Sequence, residues 1–199
     1  MNKEVANHFQ YRWWAYLLTA VLVIGLWLSV FEIISKPKAT EKIGISFIGK
    51  GFNAEGLEKD LPGVIKSNTS QNIKQINVES IEEDNVFTLD NIIVTRSQGT
   101  TDIFIWSGEL KQGTKERFAS LDEAKINSVI GDVTYYRIEG EAYALSLSGN
   151  NNFSKYYSGS EDCWLLVSAK SVNFGGANGK GLAENDAALQ IAKYLLGAV

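Results

Sequence analysis

The sequence predicts an α/β domain, with a mixed, mostly parallel sheet flanked by helices, carried behind one transmembrane helix. Three observations lead there. An uncharged apolar run fills positions 13–31. From position 42 onward, strand-like and helix-like patterns alternate, the order expected when helices cover a sheet. Within that region TTDIFIWSG holds an unbroken apolar run from Ile103 to Trp106 between Gly99 and Gly108. Such a run marks a strand covered on both faces, as parallel strands are.

The first run, WWAYLLTAVLVIGLWLSVF, has no charged side chain. As a helix rising ~1.5 Å per residue it is long enough to cross a hydrocarbon core of roughly 30 Å. A helix satisfies its own backbone, so one such segment is stable in lipid. Tyr11, Trp13, Trp14 and Tyr16 supply an aromatic belt at headgroup level. A cleaved signal would have a shorter apolar core and small residues before the cut, whereas SVFEIISKPKAT follows here. The expected layout is a short polar tail at 1–12, the span at 13–34, a tether at 35–41 broken by Pro37, and a globular domain at 42–199. Residues 13–34 make the lipid bilayer the first partner. Orientation is contested within the sequence. Lys36, Lys38 and Lys42 outnumber Lys3 and Arg12, which by charge would hold the domain inside the cell. A short amino-terminal tail with one span is, however, the layout of a signal anchor, and on that ground the domain is expected to be extracytoplasmic.

Composition excludes several function classes. A chain of 199 residues with two prolines and 21% charged residues suits one compact domain without extensive disorder. A net charge of -4 and no basic face argue against nucleic acid as a partner. Cys163 is the one cysteine, so no internal disulfide forms. His8 is the one histidine and precedes the span. No Ser-His or Cys-His pair and no His-ligated zinc can therefore be built in the domain. The expectation is a non-enzymatic protein with no catalytic residues, metal or cofactor.

The domain elements follow in order. KIGISFIG, 42–49, alternates Ile43, Ile45 and Phe47 as a strand, closed by Gly49 and Gly51. Asn53 caps a helix over AEGLEKD that Pro62 should interrupt. IKQINVESI, 73–81, is a second strand, followed by the acidic Glu82, Glu83 and Asp84, which read as a solvated turn. FTLDNIIVT fits both a strand and a helical face. In SLDEAKINSVIGD, Ser120 and Glu123 form a capping box, and Gly131 closes the helix. VTYYRIEGEAYALSLSG reads as two strands about Gly140, and CWLLVSA as another buried strand in which Cys163 packs as a small apolar group. Asp102 reads as a turn or capping residue. GGANGKG lacks the spacing of a phosphate-cradling loop and reads as a flexible connection. The closing NDAALQIAKYLL begins at an Asn185 cap and aligns Ala188, Ile191, Ala192 and Leu195.

TTDIFIWSGELKQGTKERFASLDE, YALSLSGNNNFSKYY, EDCWLLVSAKS and ENDAALQIAKYLL, together with KIGISFIGKGF as a first strand and loop, resemble the periplasmic-type solute-binding proteins. The likeness spans about Lys42 to Leu196 in loose patterns. Members of that family hold solute between two lobes, and this chain has room for about one. The resemblance therefore implies a single-lobe fold, without implying delivery to a transporter.

A small ligand on such a sheet is expected beyond the carboxyl ends of the parallel strands. The loops there place Lys50, Phe52, Trp106, Ser107 and Glu109 together, with Ser148 as a further contribution. Phe52 and Trp106 offer aromatic surface and Ser107 a donor, while Trp106 also suits the core. Tyr135, Tyr136, Phe153, Tyr156 and Tyr157 read as half-buried sheet and loop residues. Two functions follow: a membrane-anchored binding domain that senses or presents a small ligand or protein, or an accessory subunit of a membrane complex that has lost solute binding. The first predicts a groove at the Trp106 edge. The second predicts a contiguous exposed apolar patch. A hydrolase built on paired carboxylates is the remaining class, and no sequence pattern selects two such acids.

Overall fold

A computed structural model describes residues 3–69, 71–82, 86–97, 100–110, 114–149, 152–175 and 186–198. Gly99, Glu83, Asp84, Asn185 and most of GGANGKG lie outside the described residues. The chain divides into two units, Met1–Pro37 and Lys38–Val199.

The first unit is one helix, α1 (Lys3–Ser35). Its segment Arg12–Ser35 is long and apolar enough to cross a membrane, and none of it is buried. The polar residues expected as a tail continue the helix back to Lys3. The hydroxyls of Thr19 and Ser29 donate to the carbonyls of Ala15 and Gly25, 2.8 and 2.9 Å away, so these polar groups are satisfied within the helix.

The second unit is built on a six-stranded sheet in the order β2-β1-β3-β6-β5-β4. Its strands are β1 (Lys42–Ile48), β2 (Gln75–Ile81), β3 (Ile103–Ser107), β4 (Tyr135–Ile138), β5 (Glu141–Ser146) and β6 (Cys163–Val167). β1 pairs in parallel with β2 and with β3, whereas β3–β6, β6–β5 and β5–β4 are antiparallel. The mixed α/β sheet is therefore as expected, but its parallel character stops at β3. The hairpin about Gly140 is the reason. Glu139 and Gly140 have φ of 53° and 89°, which joins β4 to β5 antiparallel in a two-residue turn. β6 then returns beside β5.

Odd and even positions divide the core between two faces. Ile43, Ile45, Phe47, Ile103, Ile105, Leu165 and Val167 pack on one face with Leu57, Leu61 and Ile65 of α2 (Ala54–Asn68), Ile126 of α5 (Glu123–Ile130) and Ile191 of α6 (Ala187–Leu195). Ile48, Phe104, Trp106, Ala144 and Leu166 pack on the other with Ile93 of α3 (Val86–Ser97) and with Phe118, which follows the short α4 (Thr114–Arg117).

Three local readings are corrected. α2 runs through Pro62. Pro62 and Glu58 both lie on the exposed side, where water can take the carbonyl that proline leaves unbonded. Burial of Leu57, Leu61 and Ile65, at ~1.5–3 kcal/mol each, outweighs a proline cost of about 3 kcal/mol. α5 starts two residues later than the Ser120 box. Asp122 caps it by accepting from the Lys125 amide, Leu121 is tied to Ala142 by a bridge, and Glu123 turns instead to Arg137. FTLDNIIVT resolves as helix α3, with Ile93 buried against the sheet.

Asp102 is the third correction. It is 9% exposed and joins three segments. One carboxylate oxygen accepts from the Gly44 amide at 3.0 Å, and the other accepts from Ser171 Oγ at 2.6 Å and Asn173 Nδ2 at 3.1 Å. Its backbone amide donates to Gly44 O at 2.8 Å, and its carbonyl accepts from the Ser168 amide. Position 44 must be glycine here, since a Cβ would lie 2.2 Å from the Thr100 carbonyl. Burial raises the Asp102 carboxyl above its ordinary value, against the hydrogen bonds that lower it.

The native state thus holds the Asp102 proton more tightly than the unfolded chain, so this group's contribution to stability is largest in acid. It is lost as pH rises from about 4 through the raised value. In urea titrations of the full chain in neutral detergent, the stability of wild type minus that of Asp102→Asn should therefore fall as pH rises above about 4; an unchanging difference would contradict this assignment. Asp102→Ala, which orphans buried donors, should cost about 2–4 kcal/mol at pH 7.

Candidate functional site

The sheet order creates the site. β1 sends its crossover to β2 on one side, and the next crossover returns to β3 on the other, so the loops after β1 and β3 part company. Brackets of this kind at carboxyl ends leave a crevice. An open groove of about 660 Å³ lies there, walled by Ile48 to Lys50, Ile81 and Glu82, Trp106 to Glu109, and Tyr157 with Gly159 to Glu161.

Lys50, Trp106, Ser107 and Glu109 meet in this groove, as the strand-end argument expects. Lys50 and Glu109 are exposed at its mouth. Trp106 is only 7% exposed; its ring packs among Ile48, Ile93 and Phe104 and offers the groove little more than a margin. The other two candidates lie elsewhere. Phe52 is stacked on Phe47 at 4.4 Å, with its backbone bridged to Tyr157. Ser148 lines an adjoining recess, where its hydroxyl donates to Asp162 Oδ1 at 2.8 Å.

Ser107 is the hub of the polar lining. Its hydroxyl donates to Glu161 Oε2 at 2.8 Å and lies 2.9 Å from Tyr157 OH. With one proton already given to Glu161, Ser107 can only accept from Tyr157. Burial pushes the Tyr157 phenol up, so it keeps its proton at neutral pH and remains a donor. Tyr157 is itself held by rings, 5.5 Å from Phe47 and 5.4 Å from Phe153.

Gly49 makes the arrangement fit. It has φ of 143°, and a Cβ there would lie 2.6 Å from Ser107 Cβ. Its amide donates to Ile81 O at 3.1 Å, which ties the ends of β1 and β2.

Tyr157 and Glu161 are the members that sequence reading missed. They stand 50 and 54 residues from Ser107, and only the antiparallel return of β6 brings them to it. Cys163, at the start of β6, is buried and free. Burial pushes its thiol up to about 11. The serine hydroxyl faces a carboxylate and a phenol, and burial holds the thiol protonated.

Gly49→Ala should destabilise the domain by about 1–3 kcal/mol, with the loss read by thermal melting. At pH 8 about one Cys163 in a thousand is ionised, so iodoacetamide should label it far more slowly than a free thiol until urea unfolds the domain. Equal rates in the folded and unfolded chain would refute the buried placement.

No protein-family model, curated protein or solved structure matches this chain.

Proposed function

We propose that this chain is a membrane-anchored, non-enzymatic binding domain that holds a small ligand or a short protein segment in the switch-point groove. In this reading α1 anchors it, the domain is extracytoplasmic, and the groove serves as one lobe of a solute-binding protein would. The observation that carries the proposal is the groove itself: a crevice of about 660 Å³ at the parting of β1 and β3, its polar groups fixed in place by the Ser107, Tyr157 and Glu161 hydrogen bonds before any ligand arrives. Polar groups fixed in advance lower the ordering cost of binding.

The accessory-subunit reading has less behind it. Among the residues of the domain whose side-chain exposure is described, Val94, 37% exposed, is the one exposed large apolar side chain. A docking surface of the obligate kind needs a contiguous apolar patch.

Native mass spectrometry of the full chain, extracted in a nonionic detergent, tests the proposal. A small molecule or peptide should be retained by the wild type and lost from Ser107→Ala, with the melting temperature of the ligand-free variant nearly unchanged. Retention by Ser107→Ala equal to wild type, or copurification of whole protein partners alone, would overturn it.

A further inference from the structure

A second recess opens on the same rim and shares Gly108, Glu109, Ser160 and Glu161 with the groove. It has a volume of about 770 Å³, and Tyr136, Trp164, Glu109, Glu161 and Asp162 line it. Two of these are rings from the antiparallel half of the sheet. Trp164 on β6 pairs with Trp106 of β3 on one side and Ser146 of β5 on the other, and Tyr136 on β4 pairs with Ala144 of β5. Both rings are half-buried, 5.5 Å apart and inclined at 65°, which forms an aromatic corner.

Three acids line the rest of the recess together with Gly108, Leu110 and Ser160. Glu161 is held by Ser107 and Asp162 by Ser148, each through a 2.8 Å hydrogen bond, so both carboxylates are fixed before a ligand binds. Glu109 is exposed at the edge, and among the described residues no lysine or arginine lines the recess. A small metal ion does not suit these acids: among the described residues no three acidic, histidine or cysteine groups come close enough to hold one. The chemistry that fits is a larger cation with weakly hydrated, spread charge. Ring faces attract such a cation through their quadrupoles, and the carboxylates set its charge.

We propose that this recess binds an alkylated ammonium group, seated against Tyr136 and Trp164 and balanced by Glu109, Glu161 and Asp162. The site goes beyond the groove reading, because its aromatic walls take no part in the groove. Free choline solutes and the choline headgroup of a lipid share this chemistry.

Choline titrated into the full chain in dodecyl maltoside, followed by calorimetry and tryptophan fluorescence, tests the site. Its uncharged isostere 3,3-dimethylbutan-1-ol is the control. Choline should bind saturably, at least about tenfold more tightly than the isostere. Trp164→Leu and the double variant Glu109→Gln with Glu161→Gln should each weaken choline about tenfold or more. Glu109 and Glu161 also line the groove, so Tyr136→Leu, a half-buried edge-strand position outside the groove, keeps the test specific if Trp164→Leu fails to fold, and choline affinity unchanged in it would overturn the site. Competition by dihexanoylphosphatidylcholine below its micellar concentration assigns the group to a lipid headgroup, and its absence to a free solute; both support the site. No saturable binding, equal binding of the isostere, or choline affinity unchanged in the double glutamate variant would overturn it. A ligand retained in native mass spectra without choline binding would remove this recess and leave the groove standing.

Discussion

The fold depends on a buried carboxylate at the amino end of β3. Asp102 fastens β3 to β1 through reciprocal bonds with Gly44, and fastens both to the chain beyond β6 through Ser171 and Asn173. The junction between the parallel and antiparallel halves of the sheet runs through β3, so this one side chain spans it. Its desolvation is unfavourable, as the upward displacement of its proton affinity records. The compensation is geometric. Three donors converge on one acid, and glycine at 44 lets the backbones approach closely enough for them to do so. Beside it, Ser46 meets Thr101 and Glu79, and Glu79 pairs with Arg96 at the end of α3, which extends the polar tie across the second face of the sheet. The register fixed there carries along β3 to Ser107, which then meets its partners in the groove.

The groove exists because the sheet is mixed. A parallel strand sends only its following loop to the carboxyl rim, which here brings Gly49 to Lys50, Glu82 and Gly108 to Glu109. β6 runs opposite to β3, so its preceding loop arrives at the same rim and delivers Tyr157, Glu161 and Asp162. Parallel strands supply the crevice, and the antiparallel return supplies most of the side chains that give it chemistry. The negative, ring-walled recess beside it is a product of the same reversal.

Local patterns carried much of this into the sequence. The uncharged run of α1, the apolar block of β3, the turn at Gly140 and the strand-end position of Lys50, Trp106, Ser107 and Glu109 all rest on neighbours within a few residues. What local pattern could not carry was tertiary. Pro62 reads as a helix breaker unless it is known to face water. Ser120 and Asp122 are both competent caps, and the bridge between Leu121 and Ala142 decides between them. Parallel and antiparallel strands share the same apolar run when both faces are covered, so Ile103 to Trp106 could not reveal that β6 opposes β3. Asp102 looks like a turn residue from its neighbours alone; its three donors come from 58, 69 and 71 positions away.

The chain enters the domain at Lys38, just ahead of β1, while the groove lies at the other end of that strand. β1 is paired on both sides, all seven residues against β2 and the last four against β3. A load applied between Lys38 and the far end of β1 would run lengthwise along the strand, over roughly 23 Å, with its hydrogen bonds lying across the pull. Bonds loaded in that way share the force and must fail together, whereas bonds at a strand end peel one at a time. β1 is in this sense a tie-rod, and its resistance is set by pairing on both flanks.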